Sequence, residues 1–141
     1  MKGPRIHVYK YRERLYVPEL AVTDAGFYWE HGPVTDLASD AVALQPILEE
    51  SLAKGNPMVK TPARDEYPRV PHVVRAAGAR SVSAFEREAT LWAIEAAEKE
   101  LILLKLARDS KRGWSGPEEE YKFARTIEGM AALAAAVVQS P

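Results

Sequence analysis

The stretch TLWAIEAAEKELILLKL, residues 90–106, decides the fold of this chain. It can belong to one long helix, residues 84–108, or form two β-strands, residues 90–95 and 101–106, joined as a hairpin. The segment 97–100 between these arms has high helix propensity and makes a poor hairpin turn. The unbroken apolar run that begins the second arm is typical of a strand buried on both faces. We predict the hairpin and keep the single helix as the alternative.

The N-terminal third is rich in β-branched and aromatic residues, which favour strands. We predict an antiparallel meander over residues 5–37. Its strands are residues 5–11, 15–17, 27–31 and 34–37, with Pro18 ending the second strand and a turn at Gly32-Pro33 separating the last two.

Capping residues and apolar stripes predict three helices. Ser39 or Asp40 starts a helix that Gly55 ends, and Pro46 either kinks this helix or is its first residue. A capping box, Ser83 with Glu86, starts a second helix.

The C-terminal third adds a loop, an edge strand and a helix. The loop is residues 109–117, the edge strand is residues 118–123, and Thr126 caps a helix with Ile127, Met130, Ala134 and Val137 on one side. The expected fold is therefore α+β in one domain, residues 1–141. Its antiparallel sheet, a meander plus a C-terminal hairpin, is packed by two or three helices, and those near 41–54 and 126–138 cover one face.

Composition bounds the class of protein. The chain has 141 residues, 47% of them hydrophobic and 28% charged, and no cysteine, which excludes disulfides, thiol catalysis and cysteine-ligated zinc. Neither a secretory leader nor an apolar run of membrane-spanning length is present, so we expect a cytoplasmic protein with no membrane partner. A net charge of −1 disfavours direct nucleic-acid binding.

Residues suited to catalysis are sparse. The three histidines lie at least 24 residues apart, and neither a phosphate-binding nor a dinucleotide-binding glycine motif occurs. We therefore expect no metal, no cofactor and no enzymatic activity, with His7 in a structural role. The best local acid–base group is His31 with Glu30 and Asp36, and it supports a small enzyme as an alternative.

Residues suited to binding a partner lie in two segments. Arg64 and Asp65 belong to a proline-rich connection, residues 55–71, that serves as a docking surface or a solvated loop. Trp114 either packs on the core or anchors a partner. Glu118, Glu119 and Glu120 form the densest acidic cluster, which is either a solvated face or a patch complementary to a basic partner.

Several short segments together resemble a family of small bacterial α+β immunity proteins from contact-dependent growth inhibition and related polymorphic-toxin systems. They are Gly55-Asn56-Pro57, Thr61-Pro62-Ala63-Arg64-Asp65, Ser83-Ala84-Phe85-Glu86-Arg87 with Trp92, and Gly113-Trp114. The resemblance covers residues 20–138 and implies strands within 90–106. It also implies a cytoplasmic, non-enzymatic protein that binds and blocks one cognate toxin, often a nuclease, but it carries over no binding residue.

These observations favour an immunity-type inhibitor acting by protein–protein contact. The alternatives are the small enzyme described above and a homo-oligomeric structural subunit that pairs through an exposed strand. The oligomeric state stays open.

Overall fold

A computed structural model describes residues 3–109 and 113–140 and has an α+β architecture. The strands are β1 (Arg5–Tyr11), β2 (Arg14–Thr23), β3 (Tyr28–Ala38), β4 (Met58–Val59), β5 (Thr90–Ala96), β6 (Glu100–Asp109) and β7 (Gly113–Ala124). The helices are α1 (Ala41–Lys54), α2 (His72–Ala77), α3 (Val82–Glu88) and α4 (Ile127–Gln139), with a 3-10 turn at Arg64–Glu66. Within the described ranges, no helix is long and apolar enough to cross a membrane.

The stretch 90–106 forms a hairpin of β5 and β6. The helix α3 ends at Glu88, and Ala89 after it has an extended backbone. The two strands then pair antiparallel, with Ile94 opposite Leu103. Leu103 and Leu104 lie on opposite faces of β6 and are both buried. The predicted hairpin is confirmed, and burial on both faces explains its long apolar run.

The described strands form one sheet of seven strands with the order β3-β2-β1-β5-β6-β7. Every pair along this path is antiparallel, which confirms the N-terminal meander. The short β4 departs from the prediction, because it pairs parallel with the end of β2. The edge strands β3 and β7 are separated by five strand spacings, about 24 Å.

One face of the sheet is covered by α1 and α4, as predicted. Leu44 and Leu48 of α1, together with Leu133 and Val137 of α4, pack against apolar side chains of β1, β2, β5 and β6. All four are completely buried. Burying a side chain of this size stabilises a fold by about 1.5–3 kcal/mol, so this face provides a large part of the apolar stabilisation.

The opposite face is covered at one end by α2 and α3. Val73, Val74 and Phe85 of these helices pack on the rings of Tyr9 and Tyr11. The centroid of the Phe85 ring lies 4.9 Å from that of Tyr11. Towards its other end, this face carries charged side chains that form the network described below.

Two proline positions expected to interrupt strands lie inside them. β2 continues through Pro18, and its pairing with β3 is irregular between Pro18 and Leu20. β3 continues through Gly32-Pro33, so this dipeptide is not a turn. Proline is tolerated at edge strands and bulges, because its missing N–H then breaks no ladder hydrogen bond. The predicted strand end at Pro18 and the predicted division of β3 are therefore wrong.

The start and the end of α1 follow its capping residues. Asp40 accepts a hydrogen bond from the backbone N–H of Val42 at 3.1 Å, and Gly55 ends the helix with a φ of 72°. Both predicted boundaries are confirmed. The helix runs through Pro46 rather than starting there, which costs it one internal hydrogen bond.

The predicted N-terminal cap is confirmed for α4 and wrong for α3. Thr126 accepts a hydrogen bond from the third residue after it and starts α4, as predicted. Ile127, assigned to the apolar side of α4, is instead 74% exposed, because it lies on the first turn away from the sheet. Ser81, and not Ser83, caps α3, since its hydroxyl accepts from the N–H of Ala84.

The strand β7 is longer than the predicted edge strand. It begins at Gly113, and Trp114 pairs opposite Arg108 of β6. The prediction of a loop is therefore wrong for residues 113–117, while residues 110–112 lie outside the described residues. The pairing shifts register on both sides of Leu106. These irregularities let a segment with two glycines and a proline stay in the sheet.

The side chain of Asn56 joins β1 to β2 where their backbone ladder ends. Its Nδ2 donates to the carbonyl oxygens of Arg5 and Leu20, both at 2.9 Å. Its Oδ1 accepts from the N–H of Arg5 at 2.7 Å. One side chain thus replaces three contacts of a strand ladder and fixes the start of the long connection that follows α1.

Candidate functional site

The three glutamates of β7 lie on both faces of this edge strand. Lys105 Nζ on β6 is 3.6 Å from Glu118 and 3.4 Å from Glu119. A hydrogen bond from the Tyr121 hydroxyl lowers the pKa of Glu119, with Lys105 adding to the effect. Glu120, the next residue of the strand, forms no ion pair with a residue that the structure describes. The structure thus brings two of the three carboxylates to one lysine.

Trp114, the predicted anchor of the same segment, packs on the core. Its ring is half-buried and meets the ring of Tyr9 edge-on, with 6.2 Å between the centroids. It belongs to the apolar cluster of Phe85 beneath α3. The geometry thus shows Trp114 packed on the core. The exposed part of its side chain stays available for contact with a partner.

Arg64 and Asp65 lie on the other side of the molecule, beside β3. Both are exposed and belong to the 3-10 turn, which Glu66 stabilises by accepting a 2.6 Å hydrogen bond from the N–H of Ala63. Within the described ranges, neither Arg64 nor Asp65 forms a hydrogen bond or an ion pair. The predicted partner-binding residues thus fall into two groups, one at each edge of the sheet.

The structure does not assemble the acid–base group of the enzyme alternative. Glu30 and His31 are consecutive in β3 and lie on opposite faces. Asp36 is held by Arg14 at 2.7 Å. The ring of His31 packs against Trp29 with 5.6 Å between centroids. Its Nε2 is buried with no hydrogen-bond partner among the described residues.

A polar network that the sequence analysis missed connects β1 to β3 across β2. Glu30 Oε2 accepts from the hydroxyl of Tyr9 at 2.7 Å and lies 2.5 Å from His7 Nδ1. Arg5 Nε donates to His7 Nε2 at 3.0 Å. Since Nε2 is an acceptor, the ring proton of the neutral histidine resides on Nδ1 and is donated to Glu30.

Each side chain of this network has a hydrogen-bond partner within it. Arg5 also pairs with Glu95 at 2.6 Å, so its charge is balanced on the same face. Burial raises the pKa of Tyr9 well above its usual value, and the nearby Glu30 carboxylate raises it further. These contacts link the edge strand β3 to β1 and hold His7 in a packed, hydrogen-bonded position. Its structural role stays a prediction. Strand alternation alone placed His7 and Tyr9 on one face, but it could not identify Glu30 as their acceptor.

The described residues form several clefts but no cluster of the metal-binding type. No cluster of three or more histidine, aspartate or glutamate side chains among them is arranged to hold a metal ion. A cleft of about 110 Å³ lies between the end of α1 and the gap bridged by Asn56. Two further clefts of about 390 and 400 Å³ lie between α1 and α4 and beside the turn from β5 to β6.

Comparison with known proteins identifies a shared fold. No family model matches the sequence, and a search of curated proteins gave no match. The structure is similar to the protein of unknown function NMB0488 from Neisseria meningitidis, with 11% identity, 95% of this chain and 94% of that chain covered, and a TM-score of 0.65. It is also similar to a chain of the CdiA-CT/CdiI toxin and immunity complex from Yersinia pseudotuberculosis. That match has 9% identity, 99% of each chain covered and a TM-score of 0.66. The fold is thus one that also occurs in a bacterial toxin–immunity complex, in agreement with the sequence resemblance.

Proposed function

We propose that this chain is an immunity-type protein that binds a cognate protein toxin and neutralises it by direct contact. The observation that carries the proposal is the likeness to a chain of a toxin and immunity complex, which extends over nearly the whole of both chains. Inhibition by contact requires a stable surface and no chemistry of its own. The proposed protein acts in the cytoplasm, without a cofactor and without binding nucleic acid or membrane.

The immunity role is favoured over the toxin role by two observations. The sequence segments quoted above resemble immunity proteins. In addition, the carboxylates best placed for catalysis in the sequence are engaged in structural pairs, since Glu30 accepts from His7 and Tyr9 and Asp36 pairs with Arg14. These pairs support a binding protein over the acid–base enzyme.

The proposed contacts with the toxin lie at both edges of the sheet. Arg64 and Asp65 stand beside β3, and the others, Trp114, Glu118, Glu119 and Glu120, belong to β7. A toxin that acts on nucleic acid has a basic active site, because it must hold phosphates. Carboxylates on β7 would speed the approach of such a surface by long-range attraction.

Affinity capture combined with a growth assay tests the proposal. The tagged chain is expressed in its source organism, and the proteins that co-purify are identified by mass spectrometry. Each is then expressed from an inducible promoter in a test bacterium, with and without the chain. We expect one of them to arrest growth and the chain to restore it. The proposal fails if no captured protein arrests growth, or if growth stays arrested when the chain is present.

A further inference from the structure

Three exposed apolar side chains lie just before β3 or in the connection that leads to α2. They are Phe27 at 42%, Tyr67 at 38% and Val70 at 36% exposed. Clustered apolar groups on a protein surface mark interaction sites more often than scattered ones do. Aromatic residues, methionine and arginine are also the types enriched at the centres of protein interfaces.

Two aromatic rings at this place pack against each other. The ring of Tyr67 meets that of Trp29 edge-on, with 5.8 Å between the centroids. On its other side, Trp29 packs against His31. Aromatic side chains already fixed in position lose little entropy when a partner covers them, so they are effective binding anchors.

The same connection carries arginines whose side chains have no partner among the described residues. Arg64 and Arg69, on either side of Tyr67, are exposed, and the side chain of neither forms a hydrogen bond or an ion pair with a residue that the structure describes. The arginines in or next to the strands differ, because they have such partners: Arg5, Arg12, Arg14, Arg108 and Arg125. The cations beside β3 are therefore free to pair with carboxylates of another molecule.

We propose that the toxin docks on a β3-side surface formed by Trp29, Arg64, Tyr67, Arg69 and Val70, through an apolar patch of its own that is flanked by carboxylates. This inference rests on the proposed function and specifies where the toxin binds. A protein partner fits better than nucleic acid, because Asp65 and Glu66 lie in the same turn as Arg64 and would repel a continuous row of phosphates. The carboxylates of a protein can be placed to meet the arginines alone.

Three variants separate the charge and the apolar contributions. Arg64→Gln with Arg69→Gln removes two charges from the surface, and Tyr67→Ser removes the aromatic anchor. Arg87→Gln with Lys99→Gln is the matched control, since it removes two exposed cations elsewhere whose side chains have no partner among the described residues. Circular dichroism and thermal melting confirm that each variant is folded. The probe is the protein captured by the wild-type chain, purified, and its association and dissociation rates are measured at low and high salt.

The arginine pair is expected to lower the association rate constant about tenfold at low salt, with a smaller effect at high salt. Tyr67→Ser is expected to raise the dissociation rate at least tenfold, and the control to stay within twofold of wild type. The docking site is wrong if the arginine pair behaves like the control or if Tyr67→Ser dissociates like wild type.

Two further outcomes separate this inference from the proposed function. If the captured protein does not arrest growth, the immunity role fails, while the same rate measurements still decide where that protein docks. If the wild-type chain captures no protein, both proposals fail. Single-stranded RNA and DNA oligonucleotides serve as rival probes. If the wild-type chain binds either oligonucleotide and the double substitution Arg64→Gln with Arg69→Gln abolishes that binding, the partner of this surface is nucleic acid and not a protein.

Discussion

The two edge strands of the sheet, β3 and β7, place their glutamates in different environments. On one face of β3, Glu30 joins a half-buried network with His7 and Tyr9. On the opposite face, Trp29 packs against the ring of Tyr67. β7 carries Glu118 and Glu119 at the surface, where they share one lysine of β6.

The difference shows how burial decides what a carboxylate does. An exposed strand edge invites pairing with another chain, and charged residues discourage it. The glutamates of β7 supply such charges at an edge strand. They contribute little to stability, because water screens exposed ion pairs. Glu30 is only one-fifth exposed and holds its donors in a fixed geometry, so its loss would leave them unpaired. The four predictions below test this contrast, beginning with the largest effect.

Removing the inward carboxylate should destabilise the fold strongly. We expect Glu30→Ala to lower the free energy of unfolding by about 2–3 kcal/mol, because His7 Nδ1–H and the Tyr9 hydroxyl lose their acceptor. Chemical denaturation measures this change. Glu119→Ala on the opposite edge is the matched control and should unfold like wild type. Equal effects of the two substitutions would contradict the contrast between the edges.

The same network predicts a dependence of stability on alkaline pH. Folding raises the pKa of Tyr9 well above 10.0, so above that pH the unfolded chain ionises at Tyr9 while the folded chain keeps it neutral. Stability that is fully present below pH 10.0 is therefore lost as the pH rises further. We expect Tyr9→Phe to cost about 1 kcal/mol at neutral pH and to show a shallower alkaline loss. Parallel profiles for the two proteins, measured by denaturation from pH 8 to 11, would refute this.

The residue next to Glu30 should respond in the opposite direction. The buried Nε2 of His31 has no hydrogen-bond partner in the part of the chain that the structure describes, and an unpaired buried nitrogen is costly. We expect His31→Phe to leave the free energy of unfolding unchanged or to raise it by up to about 1 kcal/mol, since a phenyl ring keeps the contact with Trp29. A loss larger than about 1 kcal/mol would indicate that Nε2 has a partner. Activity in the growth assay should be retained.

The smallest effect is expected at the outer edge. Replacing Glu118, Glu119 and Glu120 by glutamine should leave thermal unfolding unchanged, since all three carboxylates are exposed or half-exposed. Association with the captured partner should slow by about two- to threefold at low salt, and the difference should vanish near 0.5 M salt, where the Debye length is only a few ångströms. Identical rates at every salt concentration would show that the cluster is only a solvated face.

Features set by local sequence were predictable. The apolar runs on both sides of residues 97–100 identified the hairpin, and Asp40 and Thr126 identified two helix starts, because capping depends on a few neighbouring residues. The capping-box pattern at Ser83 was misleading, since Ser81 also suits a cap and the chain turns into the helix there. Local patterns therefore located the elements better than their ends.

Features set by register between distant strands were not predictable. The link from Glu30 to His7 depends on the irregular pairing between Pro18 and Leu20, which no local pattern indicates. The packing of Trp114 on Tyr9 likewise depends on β7 extending beyond its predicted start. The sequence proposed binding residues in two segments, and the fold was needed to show which of their side chains lie together.

Hydrogen–deuterium exchange of the chain, alone and with its captured partner, tests the docking site most directly. We expect amide exchange to slow more strongly in peptides spanning residues 25–31 and 60–71 than in those spanning residues 113–124. Slower exchange confined to residues 113–124, with the segments beside β3 unaffected, would contradict the account and place the partner on the acidic edge.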